Sequence, residues 1–489
     1  AGATRKRPLA NAFADAANAP KQPFFVSWLW LVVIALALFV ISQVVWSSEF
    51  SKTPDLGFVS KFALRFSVAY WLLYSLPAPF TSLLPYVGNK LATSYQWVVD
   101  KVVRWMAENL MGIDHELVAP NGSGDTTFAY INVLICFLFA LAVAAIWSVV
   151  DRRKTECVWT KDLLRSYLRY VLAFTMLGYG LAKLGTVYNQ FPEPDVTRLS
   201  KTYGDSSPMG LVWTFMGSSR AYTTFAGLGE VVGALLLIWR RTTTIGAMVV
   251  FGVMLNIMML NFCYDVPVKQ YSAHLLCMAL YLLLPEANRL ANVLFWNRPT
   301  EEVELGPPYT NSITIWIQRG IKAAVIILGI GLPVYSKIKS EVDFARKSTS
   351  QPAFFDSYEV EEFKRDGEVV PPILTDSFMW RSVTFQRRAY GFRGEPGPVD
   401  ILVIGLMNKS AAGAEFAISE DESTLTVNNR RNALIPNEIT LDWQDDDSLV
   451  LSGTTPGGEI SVKLRRRGKD GFLLMNRGFR WISEVPFNR

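Results

Sequence analysis

"TTTIGAMVVFGVMLNIMMLNFCYDVPVKQYSAHLLCMALYLLLP" occupies residues 242–285 and holds two apolar stretches joined by the polar junction 261–274. The first stretch meets the requirement for a bilayer span, roughly 20 apolar residues at about 1.5 Å each. The two stretches therefore read as successive spans, with "YDVPVK" as the loop that caps them on one side. That junction carries Asp265, Lys269 and His274, polar groups that a chain places beside apolar helices only at a cost.

Further uncharged windows of similar length lie at about 24–46, 66–84, 127–150, 166–188, 222–239 and 315–333, which with 242–263 and 270–285 makes eight candidate spans. Composition agrees. The 489 residues are 50% hydrophobic and 13% aromatic, and the mean hydropathy is +0.21, a profile of a membrane protein rather than a soluble enzyme. The net charge of +5 comes largely from Arg and Lys at span ends, so it is topological and implies no nucleic-acid partner.

The rarer residues exclude several chemistries. Cys136, Cys157, Cys263 and Cys277 are spaced too widely for a Cys-x-x-Cys redox or metal pair. His115 and His274 are the only histidines, which excludes several bis-His haems, and no metal-ligand set is visible. Met254, Met258 and Met259 read as packing on an apolar helix. The apolar stretch 24–45 exceeds a signal-peptide core and lacks a small-residue cleavage site after it, so it is expected to span.

The chain divides in three: a basic tail (1–23), a span-bearing region (24–335) and, from 340 to 489, a region of short β-rich segments. "KRDGEV" holds an Asp-Gly turn and "SGTTPGGE" a hairpin loop, so the last region is expected to be an antiparallel all-β domain, a sandwich or partial barrel. The fold class is thus a membrane α-helical bundle of about seven to eight spans followed by an extramembrane β domain. "DRRK" at 151–154, "WRRT" at 239–242, Arg289 and Arg298 fall on one side, the cytoplasmic side by the positive-inside rule, and the β domain falls on the other. Eight full spans place the basic tail outside as well; if the segment with Pro77, Pro79 and Pro85 re-enters instead, the tail returns to the cytoplasm.

With that orientation Lys183, Glu230, Asn256 and His274 lie at similar depths, roughly 8–12 Å from the outer span ends. Tyr179 and Lys183 are i,i+4, as are Gln270 and His274, and Gly229 with Gly233 forms a small-xxx-small strip beside Glu230. Two readings stay open at this point. Lys183–Glu230 and Asp265–Lys269 are ion pairs that hold the bundle together, or they are parts of a ligand or proton-handling site. "GSGDTT" at 122–127 reads as an N-cap by Ser123 or Asp125 in preference to an anion site, and it lacks the Lys of a P-loop. "LATSYQWVVDKVVRWMAENLMG" at 91–112 reads as an amphipathic helix on the membrane surface.

"MLGYGLAKL", "FAGLGEVVGALLLIWRRTTTIGA", "MLNIMMLNFCYDVPVKQYSAHLL" and "NRL" resemble the DoxX family of bacterial membrane proteins over about 160–300. "GSGDTT" and the terminal "RGFRWISEVPFNR" resemble a subgroup with an outer β domain. The resemblance implies a four-helix core, residence in the bacterial inner membrane with the β domain periplasmic, and a quinone-interacting, redox-linked enzyme or oxidoreductase subunit. On that reading Lys183, Glu230, Asp265, Lys269 and His274 handle hydrogen bonds and protons, and Tyr179, Asn256, Asn261 and Tyr264 line the ligand. No flavin, haem or iron–sulfur ligand set is visible, so electrons would come from a partner; a protein partner or a homo-oligomer is expected. The alternative is a non-catalytic accessory subunit of a respiratory or envelope complex that docks partners through its β domain.

Overall fold

The computed structural model describes residues 58–76, 85–113, 117, 123–151, 158–185, 188–300, 312–347, 352–390, 396–428, 434–468 and 470–477. The tail, the expected span at 24–46, His115, Cys157, Pro77, Pro79 and residues 478–489 lie outside the described residues. The helices are α1 (Phe58–Ser75), α2 (Pro85–Asn109), α3 (Thr127–Val150), α4 (Val158–Leu184), α5 (Pro208–Ser218), α6 (Arg220–Ile238), α7 (Thr243–Cys263), α8 (Lys269–Leu283), α9 (Ala287–Leu294), α10 (Ser312–Ile326) and α11 (Leu332–Lys347). Among the described residues four stretches are both long and apolar enough to cross a membrane: Thr127–Val150, Arg220–Ile238, Arg240–Cys263 and Lys322–Arg346. Among the described residues, three other expected spans are helical without meeting that measure, one of them 66–84, of which α1 covers the part up to Ser75. The first part of α4 carries Lys161, Asp162, Arg165 and Arg169, and α8 is only 15 residues long.

Local chemistry sets the helix ends. Ser207 accepts a hydrogen bond from Gly210 N at 3.1 Å and Pro208 follows at the first helical position, where its missing N–H costs nothing. Ser219 is extended and accepts from Tyr222 N, which separates α5 from α6. Pro333 does not end the last span, as the window at 315–333 implies. A proline inside a helix lacks a donor and crowds the carbonyl four residues earlier. Here the turn Ile327–Gly331 widens into a π-helix, and the chain continues helically through Lys347. The first strand starts at Ser357, so residues 340–347 belong to the helix rather than to the β region.

Two compact units form. One comprises residues 1–75, 131–168 and 280–301. Within it Arg65 bonds the Asp151 carbonyl at 2.9 Å, Phe66 packs edge-on against Phe137, and Glu286 joins Arg165 at 2.8 Å and Arg289 at 2.7 Å. The other comprises residues 76–130, 169–279 and 302–489, and it holds the β domain.

The β domain closes into a barrel. Its strands are β1 (Ser357–Arg365), β2 (Glu368–Val369), β3 (Trp380–Tyr390), β4 (Pro396–Leu406), β5 (Ala411–Ile418), β6 (Thr424–Asn428), β7 (Glu438–Trp443), β8 (Ser448–Thr455) and β9 (Gly458–Arg466). They pair antiparallel in order β2-β1-β3-β4-β5-β6-β7-β8-β9, and β1 also pairs with β9 from Tyr358↔Arg466 to Arg365↔Ile460. Both turns expected from the sequence are present: Asp366-Gly367, at φ 50 and 83, joins β1 to β2, and Thr455 pairs with Gly458 across Pro456-Gly457. Alternation puts Ile460, Val462 and Leu464 of β9 inside. Phe354, Tyr358, Phe363, Trp380 and Phe385 fill the interior, so the barrel is a packed core.

Candidate functional site

Two glycines bring α4 and α6 into backbone contact. A Cβ on Gly180 would stand 2.8 Å from the Gly227 carbonyl, and one on Gly227 would stand 3.0 Å from the Gly180 carbonyl. Three residues beyond each glycine, about one turn on the same face, come Lys183 and Glu230. Lys183 Nζ donates to Glu230 Oε2 at 2.9 Å and Oε1 at 3.0 Å, with both side chains almost wholly enclosed. The same ammonium reaches the Tyr179 carbonyl at 3.4 Å and lies 5.6 Å and 5.9 Å from the Tyr179 and Phe191 ring centroids. The small residues that position Glu230 therefore differ from the expected Gly229/Gly233 strip. Gly227 meets α4, Gly233 meets Val250 of α7, and Gly229 has only Val253 at 3.4 Å.

The end of α4 is held by several groups. Asn189 Nδ2 donates to the carbonyls of Lys183 at 3.0 Å and Gly185 at 2.8 Å, and Arg220 donates to Gly185 at 3.0 Å. Such caps satisfy carbonyls that have no partner within the helix. Tyr179 in turn lies 6.3 Å, ring to ring, from Tyr271 of α8. Tyr179, Lys183, Glu230 and Tyr271 thus form one cluster drawn from three helices. Phe191 begins the loop Phe191–Met216 expected to cover the pocket; Tyr271 was not expected from the sequence, although it follows Gln270 in the junction 261–274, and only its packing marks it.

The junction itself is a separate structure. Asp125 accepts from Lys269 N at 2.9 Å and Gln270 N at 3.0 Å, and Gly124 N donates to the Pro267 carbonyl at 2.7 Å. Asp125 is therefore the N-cap of α8, supplied from 144 residues away. Thr126 caps the local helix α3 by accepting from Ala129 N at 3.2 Å. Lys269 Nζ lies 2.7 Å from Asp265 and 3.7 Å from Asp125. Asp265 is itself exposed, with φ 51 at the turn. Among the described residues no hydrogen bond or ion pair joins Asp265 or Lys269 to the Lys183–Glu230 pair. His274 is buried, and its Nδ1 lies 2.8 Å from the Gln270 carbonyl on its own helix.

The residues expected to line a ligand separate. Asn256 is exposed on α7, and Tyr264 is exposed at its end. Five residues at about 100° each carry Asn261 roughly 140° round from Asn256, which buries it. Position along α7 does not fix the azimuth of Asn256. Asn261 Nδ2 and Gln270 Oε1 are buried with no hydrogen-bond partner among the described residues. Among the described residues no three His, Cys, Asp or Glu side chains gather to hold a metal.

No family model matches the chain, and no solved structure matches it. Over 127 residues, 26% of the chain, it is 34% identical to the uncharacterized protein YwoB of Bacillus subtilis strain 168, of which the match covers 78%.

Proposed function

The chain belongs to the family of the uncharacterized protein YwoB; from its own motifs and its buried ion pair we propose that it is a DoxX-like integral membrane protein of the bacterial inner membrane and a quinone-interacting subunit of a redox system. Its core is α4, α6, α7 and α8, the region 160–300 that carries the motifs, within a bundle of seven to eight spans. The observation that carries this reading is the Lys183–Glu230 pair, enclosed between apolar helices beside Tyr179 and Tyr271. Ionisable groups inside a membrane are costly and mark functional positions. A bound quinone would supply two-electron, two-proton chemistry. Lys183 and Glu230 can hold and exchange a proton across 2.9 Å, and the unpartnered amide of Asn261 is the kind of donor a quinone carbonyl satisfies. Electrons would arrive from a partner protein. Arg240, Arg241, Arg289 and Arg298 support a cytoplasmic assignment for the opposite ends of the helices and a periplasmic one for the barrel.

A second reading has its own observation. Asp125 is occupied in capping α8 and Lys269 in pairing with Asp265, and the barrel interior is filled by its own side chains. Both features suit an accessory subunit that holds a complex together. The test is the quinone content of lipid extracted from the purified protein, with titration of a short-chain quinone into wild type and Glu230→Gln. Stoichiometric quinone and weaker binding by the variant are expected. Absence of quinone from the extract, with no binding by wild type, overturns the first reading in favour of the second.

A further inference from the structure

The barrel is fastened to the segment that leads into the α5–α6 helices, and the fastening positions one of its loops. Arg388 near the end of β3 bonds Asp195 at 3.0 Å, and Lys409, in the turn after β4, bonds Asp205 at 2.5 Å. Because β3 and β4 are antiparallel, these two ion pairs lie at opposite ends of the strand pair. Asp205 ends the turn Tyr203–Asp205, and Ser207, the cap of α5, follows directly. From there an apolar helix leads into α6, whose stretch Arg220–Ile238 is long and apolar enough to cross a membrane. The Lys409 turn is thereby held at the mouth of the membrane-entering chain.

Beside that turn runs the connection from β2 to β3, "VVPPILTDSF" at 369–378, uncharged through Thr375. Its shape is fixed. Asp376 Oδ1 accepts from Phe378 N at 2.7 Å and Met379 N at 3.0 Å, and Asp376 N donates to the Ile373 carbonyl at 3.0 Å. Asn408 N and Met407 N donate to the carbonyls of Asp376 and Met379, which lays this loop alongside the turn of Lys409. Ile373, Leu374 and Phe378 are 54%, 74% and 56% exposed, whereas outward positions on the β1–β9 wall are taken by Glu361, Lys364, Lys463 and Arg465. Tyr203, beside Asp205, is exposed as well and is of the type enriched at membrane interfaces.

We propose that Ile373, Leu374 and Phe378 form a membrane-dipping loop that seats this end of the barrel in the headgroup–acyl boundary of the bilayer its own helices enter. An apolar ridge held in shape by hydrogen bonds, whose one charged side chain, Asp376, is turned back onto the amides of Phe378 and Met379, is placed next to the entry of a membrane helix to bury its side chains there without ordering a flexible chain. The proposal depends on the membrane-spanning character of the helices, not on quinone binding or on which side the barrel occupies.

The experiment uses the full chain in lipid nanodiscs, with the native cysteines replaced and a nitroxide attached at Leu374→Cys, Phe378→Cys or the control Asp446→Cys in the turn between β7 and β8. Collision with oxygen, which concentrates in lipid, is compared with collision with a water-soluble nickel chelate. Expected are oxygen-dominated collisions and a loss of nickel access at 374 and 378, with nickel-dominated collisions at 446. Nickel access at 374 equal to that at 446 overturns the proposal. Protection at 374 from both reagents also overturns it, because a protein partner or a second copy would then cover the loop. If the cysteine-free chain fails to fold, the wild type in nanodiscs carrying a photoactivatable acyl chain gives the same answer. Adducts on 369–378 support the loop's insertion, and adducts on α7 with none on 369–378 refute it.

Discussion

Breaking the Lys183–Glu230 pair from one side should cost far more than removing it whole. The ammonium and carboxylate lie 2.9 Å apart with side-chain exposures of 7% and 2%. At that separation and an effective dielectric of about 20 the Coulomb attraction is about 6 kcal/mol, and desolvation of the two ions, several kcal/mol each, offsets it. The intact pair therefore contributes little net stability, but a lone buried charge costs about 3–5 kcal/mol. Glu230→Gln and Lys183→Met should each fall in that range. The double variant, which leaves only one buried amide, should cost about 1–3 kcal/mol. Reversible unfolding in mixed micelles, followed by tryptophan fluorescence, measures all four corners of the cycle. Costs that add within about 0.5 kcal/mol would refute the coupling, and with it the claim that the pair is enclosed.

Asp125→Ala should cost about 1–2 kcal/mol and speed hydrogen exchange at Lys269–Ser272 while leaving α6 unchanged; unaltered exchange there would show that the cap is not formed in solution. Hydrogen bonds from Lys409 and Thr202 hold the Asp205 carboxyl below its ordinary value of 3.8. A lowered folded-state value means that this tie is complete above the ordinary value and lost as pH falls through the lowered one, so protection at 203–206 should be flat from neutral pH down to about 5 and decline only in stronger acid. A decline near pH 6 would contradict it. Gly329→Ala would drive a Cβ into the Phe174 ring, for an overpacking cost of about 1–3 kcal/mol. That cost should largely vanish in a Phe174→Ala background, and its persistence there would place the strain elsewhere.

Apolar runs and turn dipeptides made much of the fold legible. The stretch 127–150 coincides with α3, 222–239 nearly so with α6, and Asp366-Gly367 and Pro456-Gly457 sit where the turn residues put them. What escaped is long-range. Nothing local in β1 or β9 tells that Tyr358 pairs with Arg466, and nothing in "GSGDTT" tells that Asp125 caps α8 rather than its own helix. Pro333 signals a helix end by every local rule, yet a π turn absorbs it because Gly329 lets that turn lie against Phe174. Within the site, helical spacing paired Tyr179 with Lys183, and ionisable chemistry pointed to Glu230. Rotation about the helix axis, which depth does not determine, decided that Asn261 is enclosed and Asn256 is not.

Closure of the barrel by β1 and β9 also dictates an order of events during biosynthesis. The two strands meet across a separation of 108 residues, so the first strand made waits for the last. Until Arg466 has left the membrane insertion machinery, β1 carries an edge of unpaired backbone groups along Tyr358–Arg365, an open template for any other extended chain. Long-range pairing of this kind is slow, because the loop must close before its contacts form. A chain stopped between β7 and β9 would thus carry finished helices and an unsealed sheet.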